Sequence, residues 1–174
     1  CILDKPYVLV LDQEVEYFHA IEQVLADVLH EGRSILIISS LGANVINTLN
    51  LNRVRNGLKV CAIQPPQFGW KSHELMEDIA AATGATYFSE STGDNLQVIT
   101  KADLGFCDKA IIDETHTVLV RNNVTDELVG ERVSALWEEH DSSGSSKDTQ
   151  EFIRERIAVL SGRIGVIHVG ANSD

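Results

Sequence analysis

Short runs of β-branched and other apolar residues alternate along this chain with longer stretches whose apolar positions recur at helical spacing. Tyr7 to Leu11, after Pro6, predicts a strand, and Val15 to His30 predicts a helix stopped by Gly32. Ile35 to Ser39 is a second apolar strand, and Asn44 is placed to cap a helix reaching about Arg55. Lys59 to Ile63 is a third strand, ended by Pro65 and Pro66. Ser72 to Thr83 follows as a helix closed by Gly84, with a strand from Ala85 to Ser89 behind it. Such a β-α-β-α-β-α-β series is the pattern of a layered α/β sheet with right-handed crossovers. Beyond it the rhythm changes. Lys109 to Asp113 and Thr115 to Arg121 predict two tightly joined strands, and a helix follows from about Asp126 to Glu139. A polar loop, Asp141 to Asp148, separates it from a helix over Thr149 to Leu160 and a last strand over Arg163 to Val169.

Two of these helices carry more apolar surface than one buried face needs. A surface helix meets its core through an apolar arc of roughly 100°. In the first helix Val15, Phe18, Ile21, Leu25, Val28 and Leu29 fill one face, and Tyr17 and Val24 widen it to about half the circumference. In the second, Val45, Ile46 and Leu49 share one face while Leu51 and Val54 lie on the opposite side. Two readings stay open. Either neighbouring elements bury both helices, or adjacent helices present their surplus as a groove for a partner. In a groove, each Leu, Ile or Val fully buried by a ligand contributes roughly 1.5–3 kcal/mol before association costs. Several such contacts give affinity without sequence specificity.

Composition narrows the classes. The 174 residues fit one domain, with 44% hydrophobic and 23% charged residues, as in ordinary globular proteins. No apolar run approaches the roughly 20 residues of a membrane-spanning helix, no secretory signal is visible, and membrane partners are not expected. The net charge of −12 is spread along the chain and repels phosphate backbones, which argues against nucleic-acid binding. Cys1, Cys61 and Cys107 are odd in number and form no CxxC pair. They read as free thiols, which suits a reducing compartment.

Catalytic chemistry is hard to find. There is no GxxxxGK[ST], no GxGxxG after a strand and no HExxH. The glycines Gly162, Gly165 and Gly170 lie within an apolar strand and suit turns or close packing better than a phosphate loop. His19, His30, His73, His116, His140 and His168 are scattered without metal-ligand spacing. Asp113 and Glu114 read as a turn between two strands, and Cys61 as a buried small hydrophobe rather than a nucleophile. No catalytic, cofactor-binding or metal-binding residue is expected here.

From Val54 to Glu90 the chain resembles the apical domain of group I chaperonins, the GroEL-like family. Arg55, Lys59-Val60, Pro66, Phe68-Gly69, Asp78-Ile79-Ala80, Thr83-Gly84 and Ser89-Glu90 stand in the family's order and spacing. Lys5-Pro6 to Asp12 resembles its Pro-initiated first strand, and Ala102-Asp103-Leu104-Gly105 its Glu-Asp-Leu-Gly turn. Arg154-Glu155-Arg156, Leu160-Ser161-Gly162 and Val166 to Ala171 resemble the elements that return toward the intermediate domain. Gln67, Trp70 and Arg163 depart from the pattern, which marks a divergent member.

The resemblance implies an α/β fold of the GroEL apical type, a central sheet flanked by helices with a small β-hairpin and helix extension. It implies an apical domain over residues 1–150 and, over 151–174, its end and the start of the return strand. The equatorial ATPase domain lies outside the sequence, so ATP, magnesium and potassium are expected only in a full-length parent. Position by position, the polypeptide- and co-chaperonin-binding residues become Glu22 and Leu25 on the first helix and Ile46, Asn50 and Leu51 on the second; helix geometry adds Val54. Glu22 and Asn50 replace residues that are apolar in the family, which predicts weaker or more selective binding. Implied partners are unfolded polypeptides, a co-chaperonin and, for the parent, a homo-oligomeric ring in the cytoplasm or a mitochondrial-type matrix. By itself this piece is expected to be a monomer. The competing expectation is a flavodoxin-like small-ligand binder or enzyme, with Ser39 to Ala43 as the one loop available to it. A third is an assembly partner that binds no clients.

Overall fold

The computed structural model describes residues 1–12, 19–65, 70–88, 99–113, 116–120, 127–142, 144, 146–161 and 164–168. Its centre is a parallel sheet of β2 (Tyr7–Leu11), β3 (Ile35–Ile38), β4 (Val60–Ile63) and β5 (Tyr87–Phe88), in the order β4-β3-β2-β5. Registers such as Leu9↔Ile37 and Ile37↔Ala62 keep these runs level. A two-residue strand, β6 (Gly105–Phe106), pairs antiparallel with the start of β2. Strands buried on both faces can be continuously apolar, and the ILII of β3 is wholly buried.

Side-chain alternation divides the core into two layers. Leu9, Leu11, Ile35, Ile37 and Val60 meet helices α1 (His19–His30) and α2 (Ala43–Asn56) on one face. Val8, Val10, Leu36, Ile38 and Ile63 meet Met76 and Ile79 of α3 (Trp70–Thr83) on the other. That second layer also takes Leu3, Ala110 and Leu119 from an antiparallel sheet in the order β1-β7-β8-β9, formed by Ile2–Asp4, Lys109–Ile112, His116–Val120 and Ile164–His168. Helices α4 (Glu127–Asp141) and α5 (Lys147–Ser161) pack on each other through Val129, Leu136, Ile153, Ile157 and Leu160, and reach α3 at Ala82.

A buried ionic cluster fixes that helical pair. Arg156, 2% exposed, donates from Nε to Asp78 Oδ2 at 2.7 Å and from Nη2 to Asp78 Oδ1 at 3.0 Å. Arg132 of α4 donates to the same carboxylate from its Nε and to Glu77 Oε2 at 3.3 Å. Burial alone would lower the Arg156 pKa, but its bond with Asp78 and the charges of Asp78 and Glu74 more than reverse that, so it stays raised. One carboxylate thereby ties three helices together. Trp70, a departure from the family pattern, opens α3 and meets Phe152 of α5 edge to face at 5.4 Å.

Gly105 is required by space. A Cβ there would stand 2.6 Å from Oγ1 of Thr83, the last residue of α3, and 2.8 Å from the backbone nitrogen of Ala85 just beyond it.

Several sequence expectations shift. The first two residues of α3 precede the expected Ser72, α4 runs on to Asp141, and the short strands β1 and β6 were not anticipated. Asn44 is not the cap of α2. Gly42 is, in extended conformation, and Asn44 sits inside the helix with its carbonyl accepting the Thr48 hydroxyl at 2.8 Å. The free-thiol reading holds for Cys107 alone, because Cys1 and Cys61 form a disulfide. A reducing compartment therefore no longer follows from the cysteines. Val15, Tyr17, Phe18, the segment Pro66 to Gly69, Ser89-Glu90, Glu114, Gly162, Arg163 and Val169 to Ala171 lie outside the described residues.

Candidate functional site

Both helices singled out by their apolar surplus lie on the same face of the parallel sheet, as right-handed crossovers between adjacent strands require. Their fates differ. In α1, Ile21, Val24, Leu25 and Val28 are buried, and Leu29 packs partly against the same cluster. Ile99 and Leu104 join that cluster, and Lys101 from the same segment pairs with Glu31 just past the helix end. The outward positions of α1 are Glu22, Gln23, Ala26 and His30. Leu25, 2% exposed, is therefore a core residue and offers no surface to a ligand; this corrects its expected role.

In α2 the division runs through the helix. Val45 and Leu49 enter the core and Ile46 rests at its margin. Val54 lies nine residues beyond Val45, about two and a half turns, and so points directly away from it. It is 85% exposed, the most open large apolar side chain among the described residues, and Leu51 beside it is 52% exposed. Asn47 and Asn50 are exposed on the same side.

The ends of α2 hold that face in place. Gly57 takes the left-handed conformation, φ 68°, and its N–H bonds to the carbonyl of Asn52. Leu58 then drops into the core. Arg53 and Arg55 in the last turn favour the negative end of the helix dipole. The half-buried Asn52 donates from Nδ2 to the Thr48 carbonyl at 2.9 Å, a bond within the helix rather than toward a partner.

Of the six expected binding residues, Glu22, Asn50, Leu51 and Val54 are exposed, Ile46 is half-buried and Leu25 is sealed. Asn50, Leu51 and Val54 share the outward side of one helix, with Ile46 at its edge; Glu22 belongs to the other.

A polar group that sequence reasoning missed stands where the parallel strand order reverses, at the carboxyl ends of β2 and β5. Ligands of open α/β sheets bind at such switch points. Tyr87 Oη lies 2.9 Å from His73 Nδ1, and His73 Nε2 lies 3.4 Å from Glu77 Oε1. Burial, and then the charges of Asp12 and Glu77, raise the Tyr87 pKa, so its hydroxyl keeps its proton at neutral pH and is a poor acid or base. Only the i,i+4 spacing of His73 and Glu77 hinted at this group. Ser39 to Ala43 is less suited still: Ser39 is buried with its hydroxyl donating to the Ser40 carbonyl, and Leu41 faces the core.

The fold matches that of the chaperonin gp146 from the bacteriophage EL 2 (Pseudomonas aeruginosa), crystallised in the presence of ATP-BeFx. The TM-score is 0.66 and the identity 18%, over 99% of this chain and 34% of that one. No protein-family model matches the chain. The protein thus has a divergent chaperonin-like α/β fold of the apical-domain type. It spans about a third of the length of the phage chaperonin.

Proposed function

We propose that this chain is the polypeptide-binding domain of a divergent chaperonin subunit and holds non-native polypeptides on the outward face of α2. The observation that carries the reading is the open pair Leu51 and Val54 on a helix whose opposite side is locked into the core. An apolar patch kept out of a core that had room for its neighbours suits a surface meant for a partner. Covering two such side chains yields a few kcal/mol before association costs, so one face binds weakly. A ring of identical subunits raises that by engaging one client at several points. In this reading ATP, magnesium and potassium act elsewhere in the longer parent, a co-chaperonin competes for the same face, and an isolated domain is monomeric.

The chain is expected to suppress aggregation of an unrelated unfolded protein without ATP, followed by light scattering. Ile46→Ser with Leu51→Ser should abolish the effect. Unchanged suppression by that variant would remove α2 as the binding face.

A second reading, a small-ligand binder, draws on the switch point beside Asp12, His73 and Tyr87. A saturable calorimetric signal with a nucleotide or metabolite, lost in Tyr87→Phe, would favour it over client binding.

A further inference from the structure

In the parallel sheet β4 is the outer strand, hydrogen-bonded on one side to β3. It also carries α2, which joins it through Gly57 to Lys59. Among the described residues the α2–β4 unit therefore has a single strand partner, besides its core contacts through Val45, Leu49, Val60 and Ile63. The disulfide adds a covalent attachment. Cys61 lies within β4, opposite Leu36, and its partner Cys1 precedes β1 of the other sheet, where its carbonyl accepts the Ile112 N–H at 2.7 Å. Its 60-residue separation encloses β1, β2, α1, β3 and α2 in one covalent loop.

The two residues differ in exposure: Cys1 is exposed and Cys61 is 8% exposed. The third thiol is kept out of exchange. Cys107 is 1% exposed and its Sγ lies 3.6 Å from the Lys109 carbonyl.

We propose that the Cys1–Cys61 disulfide is a redox-operated clamp on the α2–β4 unit, closed when oxidised and released by a dithiol. A dithiol thiolate attacks the sulfur of the more exposed residue, Cys1, the S–S bond breaks, and its electron pair leaves on Cys61, which takes up a proton. The second thiol of the reagent then displaces Cys1 as a thiol and closes a cyclic disulfide. Two electrons and two protons pass from the dithiol to the protein. The clamp stands on the disulfide and the sheet order, whatever the α2 face binds.

The test is hydrogen exchange by mass spectrometry on the whole chain, oxidised and then reduced with dithiothreitol, with alkylation counting the free thiols. Reduction should free two thiols and speed amide exchange across residues 43–63 by at least about tenfold, while 8–11 and 35–38 change far less. The melting temperature should fall by about 10 °C. Cys1→Ser, a change at an exposed position, should match the reduced chain under oxidising conditions and ignore the dithiol. The clamp is overturned if residues 43–63 do not respond once both thiols are free. It is equally overturned if exchange rises uniformly along the chain, or if Cys1→Ser still answers to reductant.

Discussion

Helices α1 and α2 cover the same face of one sheet and each carries five large apolar side chains, α2 among more polar neighbours, yet one set is consumed by the fold and the other is not. Helix α1 follows β2, which is flanked by strands on both sides, and the segment containing Ile99 and Leu104 closes over its cluster. Helix α2 leads into β4, the outer strand of the sheet among the described residues. Apolar residues on the two helices thus meet different amounts of available cover. What a greasy helix does is decided by its place in the strand order as much as by its own pattern.

The sharpest way to break this comparison is at paired leucines. Leu25→Ala should cost about 3 kcal/mol of stability in chemical denaturation, because it empties a closed site. Client binding by the molecules that remain folded should be unchanged. The double change Leu51→Ser and Val54→Ser should do the reverse. Stability should stay within about 0.5 kcal/mol of the parent, while client affinity measured by fluorescence anisotropy falls about tenfold, or about 1.4 kcal/mol. Should the double variant lose as much stability as Leu25→Ala, the outward face of α2 would be core and the contrast would vanish.

The opposite face of the sheet provides a control that has nothing to do with α2. Burial raises the Cys107 pKa from 9.0 to about 11. Its unfolded thiol therefore ionises first, so the stability contribution is complete below pH 9 and is lost as pH rises toward about 11. Between pH 9 and 10 the loss should be about 1 kcal/mol in denaturant titrations of the oxidised chain. Cys107→Ala should flatten that slope and leave client binding untouched.

The smallest effect sharpens the comparison from the other direction. Asn50 is exposed beside the apolar pair, and Asn50→Leu should extend the patch and tighten client binding about threefold, or about 0.7 kcal/mol. The corresponding change on α1, Glu22→Leu, tests whether that helix shares the surface at all. Equal gains from both would show the two helices acting as one groove.

The parallel core was legible because its strands are continuously apolar and its helices keep their period. The two-faced character of α2 was legible for the same reason, since Leu51 and Val54 oppose Val45 and Leu49 within one helix. The destination of Leu25 was not, because segment 99–104, remote in sequence, supplies part of the cover over α1's cluster. Strands of two or three residues, β1 and β6, are too short to show alternation. The disulfide joins residues 60 apart and the Asp78–Arg156 pair residues 78 apart, distances at which spacing carries no signal. Tyr87 and His73 were missed likewise, since their meeting depends on where β5 inserts in the sheet.

Gly105 sets a different kind of boundary. Most letters of this protein are free to drift as long as oil stays inside and charge outside, which is how a shared shape outlives all but 18% identity with a phage protein. A hydrogen atom is all that the gap between β6 and the Thr83–Ala85 bend admits. Even one added methyl there must pry the end of α3 away from the sheet, so this small residue is a fixed point about which the rest of the text can be rewritten.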